Sequence, residues 1–307
     1  MQVFSAPHAG SSSTGVAGYV GGGSISTGKT DNVSKITFPL DTLTSLSAVL
    51  TSIVGELAGM ANSAVAGYFG GGNNAGDLNR IDKITFPADT KSTLSATLTT
   101  SRSDLAAMAN SSVAGYFAGG GGSLTSGIDK ITFPADTKST LAATLSSARY
   151  VLAAMANSNV AGYIGGGYDT APISGIDKIT FSADSKTTLS AVLSSARYYL
   201  GGMADSGVAG YFPGGIDSGG TLSGIDKITF PADTKSTLSA TLTTARQKPA
   251  GFADTGVAGY VAGGQDAGGY VSGIDKISFP ADTKSTLSAT LSPARRSSAG
   301  FADCGLF

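Results

Sequence analysis

Several residue types that commonly build catalytic centres are almost missing from this chain. It has no tryptophan, one cysteine (Cys304) and one histidine (His8). A single cysteine excludes an internal disulfide framework, and structural or catalytic zinc sites draw mostly on Cys and His. A Ser-His-Asp triad would depend on His8 alone, which lies outside the repeated part of the sequence. We therefore expect no metal site, no cofactor and no catalytic residues, and hence no enzyme.

Charge is also scarce and evenly spread. Charged residues make up 13% of the chain and the formal net charge is −1, so there is no basic field to attract nucleic acid or an anionic membrane. No apolar run approaches the roughly 18 residues of a membrane span. The start, MQVFSAPHAG, has neither a basic region nor a long apolar core, so we expect no secretory signal and no membrane insertion.

The sequence consists mainly of one segment that is repeated in tandem. The tyrosine of a recurring Gly-Tyr pair returns every 47 to 49 residues, at Tyr19, Tyr68, Tyr116, Tyr163, Tyr211 and Tyr260. A period this regular marks a repeat protein. Since a unit of this size cannot bury a core alone, six copies favour one closed body, a single domain over residues 1–307.

Each copy contains four short apolar or β-branched runs separated by turn residues. In the fourth copy we predict strands at 197–204, 208–212, 225–230 and 237–242. Asp205-Ser206-Gly207 suits a tight hairpin turn, and Pro231 opens a second turn that runs to Lys235. The runs are too short and too interrupted by glycine for helices, so the pattern predicts a small antiparallel sheet.

The order of these features resembles the kelch repeat along essentially the whole chain. The motif begins with an aromatic residue followed by Asp-Thr, as in IDKITFPADTKST. An arginine and an apolar strand come next, and the motif ends in the double glycine of VAGYIGGG. Kelch repeats usually carry Trp after the Asp-Thr turn; leucine stands there here, at Leu94, Leu141, Leu189, Leu238 and Leu287. The resemblance implies an all-β, kelch-like β-propeller of four-stranded antiparallel blades, with the first strand at the central channel. Six double-glycine strands predict six blades.

The two ends of the chain offer alternative ways to close the ring. The sequence of residues 295–303 is similar to that of residues 246–254. This similarity favours 295–307 as an inner strand added to the blade built from residues 16–50. Such strand exchange would remove a free sheet edge. Residues 1–12 would then lie outside the ring. The competing candidate is the segment 5–13, which has the same phase but matches the repeat poorly.

Three sets of ionisable residues recur with the period, and repetition favours structural roles for all of them. We expect the arginines to bond backbone carbonyls or a neighbouring aspartate, although a ring of arginines could also bind an anion. We expect each Asp-Lys step in the third run to be a structural pairing, and the aspartate of each Pro-Ala-Asp turn to cap the backbone. The arginines are Arg102, Arg149, Arg197, Arg246 and Arg295.

Specific binding is best sought where near-identical copies differ, in the loops between the second and third strands. In a propeller these loops emerge on one face, where aromatic and amide groups suit sugar or protein surfaces. The alternative is that they are unselected loop tips. The candidate ligand-binding residues are Asn73, Asn74, Asp77, Arg80, Tyr168, Asp169, Asp217, Gln265, Asp266 and Tyr270.

Three functions remain open. The first is a non-enzymatic recognition or structural module, displayed on a virion or tail fibre and binding a host surface glycan or protein; the repeats are similar to kelch-like propellers of bacteriophages and their bacterial hosts. The second is an intracellular scaffold that binds a protein on one face. The third, disfavoured by the missing ligands, is an enzyme acting on sugars. We expect the protein in the virion or the host cytoplasm, and fold alone does not decide between these functions.

Overall fold

The computed structural model describes residues 17–303 and confirms the predicted fold. These residues form six four-stranded antiparallel sheets, the blades of a β-propeller, and contain no helix. From inner to outer strand the blades are Ala299–Ala302, Ala17–Gly21, Val33–Thr37 and Thr42–Ser45 (blade 1); Ala58–Asn62, Ala66–Gly70, Ile81–Thr85 and Thr90–Thr93 (blade 2); Ala106–Asn110, Ala114–Ala118, Ile128–Thr132 and Thr137–Thr140 (blade 3); Ala153–Asn157, Ala161–Gly165, Ile176–Thr180 and Ser185–Thr188 (blade 4); Met203–Asp205, Ala209–Pro213, Ile225–Thr229 and Thr234–Thr237 (blade 5); and Ala250–Asp254, Ala258–Ala262, Ile274–Ser278 and Thr283–Thr286 (blade 6). Short hairpins extend three blades: Ser24–Ile25 with Gly28–Lys29, Ile216–Asp217 with Gly220–Thr221, and Gln265–Asp266 with Gly269–Tyr270.

The ring is closed by a strand from the C-terminal part of the chain. Ala299–Ala302 pairs antiparallel with Ala17–Gly21, with Gly18 opposite Ala302 and Gly21 opposite Ala299. The inner strand of blade 1 therefore comes from the far end of the sequence, and the blade has no free inner edge. The competing segment 5–13 and the rest of residues 1–12 lie outside the described residues.

Two of the predicted strand positions are wrong. The outer strand of blade 5 is Thr234–Thr237, which we had placed partly in the turn, whereas residues 238–242 belong to an irregular connection. The inner strand begins at Met203, so residues 197–202 are also part of a connection. Buried leucines of the connection, such as Leu242, imitate the apolar pattern of a strand, while the true outer strand is largely exposed.

The hydrophobic cores lie between neighbouring blades. One such core joins Met60 and Tyr68 of blade 2 to Phe117 and Phe133 of blade 3. The glycine before each recurrent tyrosine makes this contact possible: a Cβ on Gly115 would lie 2.2 Å from the sulfur of Met60. The second strand of each blade is buried along its whole length, because both of its faces are covered by adjacent blades.

A polar contact repeats at every blade junction, including the junction between blades 6 and 1. At each junction, one aspartate lies in the turn between the third and outer strands. It accepts a hydrogen bond from the tyrosine hydroxyl of the preceding blade and forms an ion pair with the lysine of that blade. Asp136, for example, contacts Tyr68 (2.8 Å) and Lys83 (2.6 Å). The tyrosine–aspartate pairs are Tyr19–Asp89, Tyr68–Asp136, Tyr116–Asp184, Tyr163–Asp233, Tyr211–Asp282 and Tyr260–Asp41. We call this contact the latch.

The latch corrects our expectation for two sets of residues. The side chains of the turn aspartates bond to the neighbouring blade, whereas we expected them to cap their own turn. The Asp-Lys step of the third strand is not an internal pair either: Lys83 reaches Asp136 in the next blade, while Asp82 accepts from Thr51 and Thr93. Sequence adjacency misled us because successive strand residues point to opposite faces of the sheet.

Two sets of segments share one end of the ring. The loops between second and third strands pair with the connections that lead from one blade into the next, as in Tyr168 with Tyr150 (N to O, 2.9 Å). The hairpin turns lie at the other end of the strands. We call the first end the loop face and the second the turn face.

Candidate functional site

The loop face brings the predicted residues of blade 2 together. Lys29 of blade 1 donates to the side-chain oxygen of Asn73 (2.5 Å) and to the backbone oxygen of Asn74 (3.2 Å). Asn73 in turn donates to the carboxylate of Asp77 (3.0 Å). Asn73, Asn74 and Asp77 thus form one polar cluster, which Lys29 joins to the neighbouring blade.

Arg80, another of the predicted residues, pairs with an aspartate of its own blade. Its Nε lies 3.4 Å from the buried carboxylate of Asp82, and its Nη2 donates to Ser52 (3.0 Å). In later copies the equivalent aspartate is paired with the recurring arginine, but blade 2 has Val54 at that position. Arg80 therefore supplies a guanidinium group to Asp82 in place of the recurring arginine.

Tyr168 lies within a continuous strip of four tyrosines on blades 4 and 5. Its ring centroid is 5.9 Å from that of Tyr150 and 5.3 Å from that of Tyr198, both nearly edge-on, and Tyr198 lies 5.2 Å from Tyr199. All four are partly exposed. We call this set the tyrosine strip; of its four members, only Tyr168 was among the residues predicted from the sequence.

The remaining predicted residues lie in separate places. Asp169, Asp217 and Asp266 each accept a hydrogen bond from a backbone N–H one or two residues later, and so stabilise their own loop turns. Gln265 accepts a hydrogen bond from Arg296, whose guanidinium carbon lies 5.2 Å from the centre of the Tyr270 ring. Tyr270 and Tyr168 therefore belong to different clusters, in blades 6 and 4.

A second candidate site, which we did not predict, lies on the axis of the loop face. Six residues at equivalent positions, each with a positive φ between 53° and 63°, surround the channel mouth. The backbone N–H of each donates to the carbonyl of the preceding one, at 2.7 to 3.0 Å, and the sixth bond closes the circle. In order around the axis the residues are Glu56, Asp104, Val151, Tyr199, Lys248 and Ser297. We call them the axial ring.

The side chains of the axial ring differ at every position although their backbone is the same. They line a cavity of ≈ 90 Å³ together with Leu57, Leu105, Leu152 and Leu200. The Nζ of Lys248 lies 3.8 Å from the centre of the Tyr199 ring. Burial, with Glu56 nearby, raises the pKa of Asp104 to about 7, and burial lowers the pKa of Lys248.

The channel behind this ring is narrow. Gly59, Ala107, Ala154, Gly202, Gly251 and Gly300 line its wall. A Cβ on Gly251 would lie 2.2 Å from the backbone oxygen of Gly202, so adjacent inner strands are almost in contact. A ligand at the mouth would therefore rest on the ring and would not pass through the channel.

The recurring arginines are buried between the connections and the third strands. Nη2 of Arg102 donates to the carbonyl of Phe117 (3.2 Å) and to Asp129 (2.8 Å), and the same arrangement recurs at Arg149, Arg197 and Arg246. Burial lowers the pKa of these guanidinium groups, and the paired aspartate opposes that shift. Arg295 lacks an acid: it donates to Val20 O (3.1 Å) and Ser34 Oγ (2.7 Å), and burial lowers its pKa to about 10.

Within residues 17–303, no three His, Cys, Asp or Glu side chains lie in a group that could hold a metal ion. No helix in the same range is long and apolar enough to cross a bilayer. A comparison of the chain with protein-family models gave no match, and a comparison with curated proteins gave none either.

Proposed function

We propose that this propeller is a non-enzymatic recognition module of kelch type, displayed on a bacteriophage virion or tail fibre, whose loop face binds a host surface glycan or protein. The kelch assignment rests on the order of repeated residues around the Gly-Tyr and double-glycine motifs. The assignment to a virion rests on the similarity of the nearly verbatim, Ser/Thr/Gly-rich copies to kelch-like phage propellers.

The tyrosine strip is the observation that carries the proposal. Each of its four rings contacts the next one along the strip, and all four are partly exposed. No hydrogen bond within the described residues engages their hydroxyl groups. By contrast, the latch tyrosines are fully buried and bonded. Exposed tyrosines provide flat apolar surface with a polar tip at low entropic cost, which suits sugar rings and protein surfaces.

The distribution of variation supports the same face. The latch is repeated at all six junctions, so the framework is uniform around the ring. The loops and the connections that form the loop face differ from copy to copy in length and in residue type. A uniform scaffold that carries variable surface loops is a common arrangement for binding sites.

A glycan array tests the proposal. Wild type should bind a set of glycans, and Tyr168→Ala combined with Tyr198→Ala should abolish the signal without changing the thermal unfolding temperature. Val113→Ser combined with Val160→Ser is the matched control, because these exposed valines lie in turns on the turn face; its binding should equal that of wild type.

Two results would contradict the glycan version. If wild type bound no glycan but captured a defined host protein through the tyrosine strip, the ligand would be a protein; capture of a cytosolic peptide would favour the intracellular scaffold. Undiminished glycan binding by the double tyrosine variant would exclude the tyrosine strip as the binding site.

A further inference from the structure

The axial ring holds ionisable side chains that the framework does not use. Among the described residues, no hydrogen bond or ion pair involves the carboxyl groups of Glu56 and Asp104 or the ammonium group of Lys248, which lies over the face of Tyr199. The latch and the buried arginines show how this fold treats structural charges, which it pairs at 2.6 to 3.1 Å. The charges of the axial ring are therefore available to a ligand.

A buried hydroxyl in the same cavity points to a ligand independently. Ser297 is only 9% exposed, and its Oγ has no hydrogen-bond partner among the described residues, yet the residue lines the cavity with Glu56 and Asp104. Buried polar groups are nearly always hydrogen-bonded, and leaving one unpaired costs free energy. This oxygen has almost no accessible surface in the observed conformation, so a rotation of the serine side chain would bring it to a donor that a bound molecule places in the cavity.

The order of residues around the axis identifies the chemistry. Ser297, Glu56 and Asp104 occupy three consecutive positions of the axial ring, so one arc of the mouth presents a hydroxyl and two carboxyl groups. An ammonium group has three N–H donors and one positive charge. Charge-assisted hydrogen bonds to carboxylates are about twice as strong as neutral ones.

The size and the far side of the cavity limit the occupant. Its volume of ≈ 90 Å³ suits a small group and not a whole chain segment. Lys248 lies across the axis from Asp104, so a second positive group is disfavoured there, whereas ring oxygens or hydroxyl groups of a ligand can accept from it.

We propose that the axial ring binds the primary ammonium group of a ligand, held by Glu56, Asp104 and Ser297, with Lys248 contacting the polar oxygens beside it. This inference rests on the proposed recognition function and adds a charged contact to it. An amino sugar with a free amine and a lysine side chain share this chemistry, and they can be told apart by measurement.

The test uses the full chain and small probes in ligand-observed NMR titrations. The probes are glucosamine, N-acetylglucosamine and the Nα-acetyl amide of lysine. Glucosamine should bind and N-acetylglucosamine should bind at least about tenfold more weakly, because acetylation removes the charge. Binding of the lysine derivative in preference to glucosamine would assign the site to a protein ligand.

Near-isosteric variants localise the site. Glu56→Gln and Asp104→Asn should each weaken binding of the preferred amine by about tenfold, and Ser297→Ala by a smaller factor. Asp31→Asn is the matched control, since this aspartate lies in the loop between the second and third strands of blade 1, outside the axial ring; its affinity should not change. Thermal unfolding of every variant checks that the fold persists.

The proposal is wrong if no amine binds, if N-acetylglucosamine binds as well as glucosamine, or if Glu56→Gln and Asp104→Asn bind like wild type. Amine binding with a silent glycan array would keep the ammonium site and reject a surface glycan as the ligand. Glycan binding that depends on the tyrosine strip but not on amines would reject this inference and leave the proposed function standing.

Discussion

At the scale of single residues, blade 1 contains a buried cation without an acid. Arg295 is fully buried, and the position that holds aspartate in the other blades is occupied by Ser34. A neutral hydroxyl stabilises a guanidinium less than a carboxylate does. Blade 2 has the converse change, Val54 in place of arginine, and there Arg80 neutralises Asp82 from the loop. In blade 1, no acidic residue of the described part of the chain replaces the missing carboxylate beside Arg295.

Replacing Ser34 by Asp should therefore stabilise the protein. The new carboxylate would meet Nη2 of Arg295, and we expect the free energy of unfolding to rise by about 1 to 3 kcal/mol. Urea unfolding followed by circular dichroism measures the change. The matched variant Asp129→Ser recreates the arrangement of blade 1 in blade 3 and should destabilise by about 3 kcal/mol. A loss of stability in Ser34→Asp would contradict this explanation.

Asp104 should make the free energy of unfolding fall as the pH rises. Burial and Glu56 raise its pKa from 3.8 to about 7; Asp77 acts in the same direction, and Lys248 and Lys29 act against it. The folded state therefore binds this proton more tightly than the unfolded chain, so the free energy of unfolding falls as the pH rises from about 4 to 7.

Asp104→Asn removes this contribution. The variant should gain stability relative to wild type between pH 4 and pH 7, and the difference should stay constant above pH 8. Urea unfolding of both proteins at pH 5 and pH 8 measures it, and other shifted groups such as Asp303 cancel because both proteins contain them. An equal difference at the two pH values would show that Asp104 titrates normally.

The axial ring was within reach of the sequence but was missed. We searched for variation in the loops, whereas the ring position lies two residues after each recurring arginine, in a connection that we took for a strand. Aligning the copies there gives Glu, Asp, Val, Tyr, Lys and Ser, followed by leucine in the first four copies. The closeness of these six residues follows from closure around an axis, which no single copy reveals.

At the scale of the element, the positions of buried strands were predicted more accurately than those of exposed strands. The second and third strands were located to within one residue, because both are largely buried and rich in β-branched and aromatic residues. The outer strands, such as Thr234–Thr237, are polar and exposed, so no apolar pattern marks them. The latch was also hidden, since its partners lie 53 to 71 residues apart in most blades.

The latch should contribute measurably to each blade junction. Asp136→Asn retains an acceptor for Tyr68 but loses the ion pair with Lys83, which is mostly buried. We expect a loss of about 1 kcal/mol in the free energy of unfolding. Asp136→Ala should lose more, because it removes both contacts and places alanine at φ 55°. Urea titrations of the three proteins test this order; equal stability of Asp136→Asn and wild type would assign the latch to tyrosine alone.

At the scale of the whole molecule, the number of blades was readable from the sequence because the period is regular and the double glycines can be counted. How the ring closes was not, since two segments could supply the missing strand. Pairing of Ala299–Ala302 with Ala17–Gly21 joins the ends of the array and completes two blade junctions. A closed ring should unfold as one unit, whereas an open array of repeats can fray from its ends.

Differential scanning calorimetry of a chain that stops at residue 294 tests this closure most directly, with a chain that stops at Asp303 as the control. The control keeps the closing strand and should unfold in one transition at the temperature of the full chain. The shorter chain loses Arg295 and the strand Ala299–Ala302, and should unfold at least 10 °C lower, roughly 6 kcal/mol or more for a domain of this size, or show no cooperative transition. If it unfolded at the same temperature as the control, the C-terminal strand would not be what closes the ring.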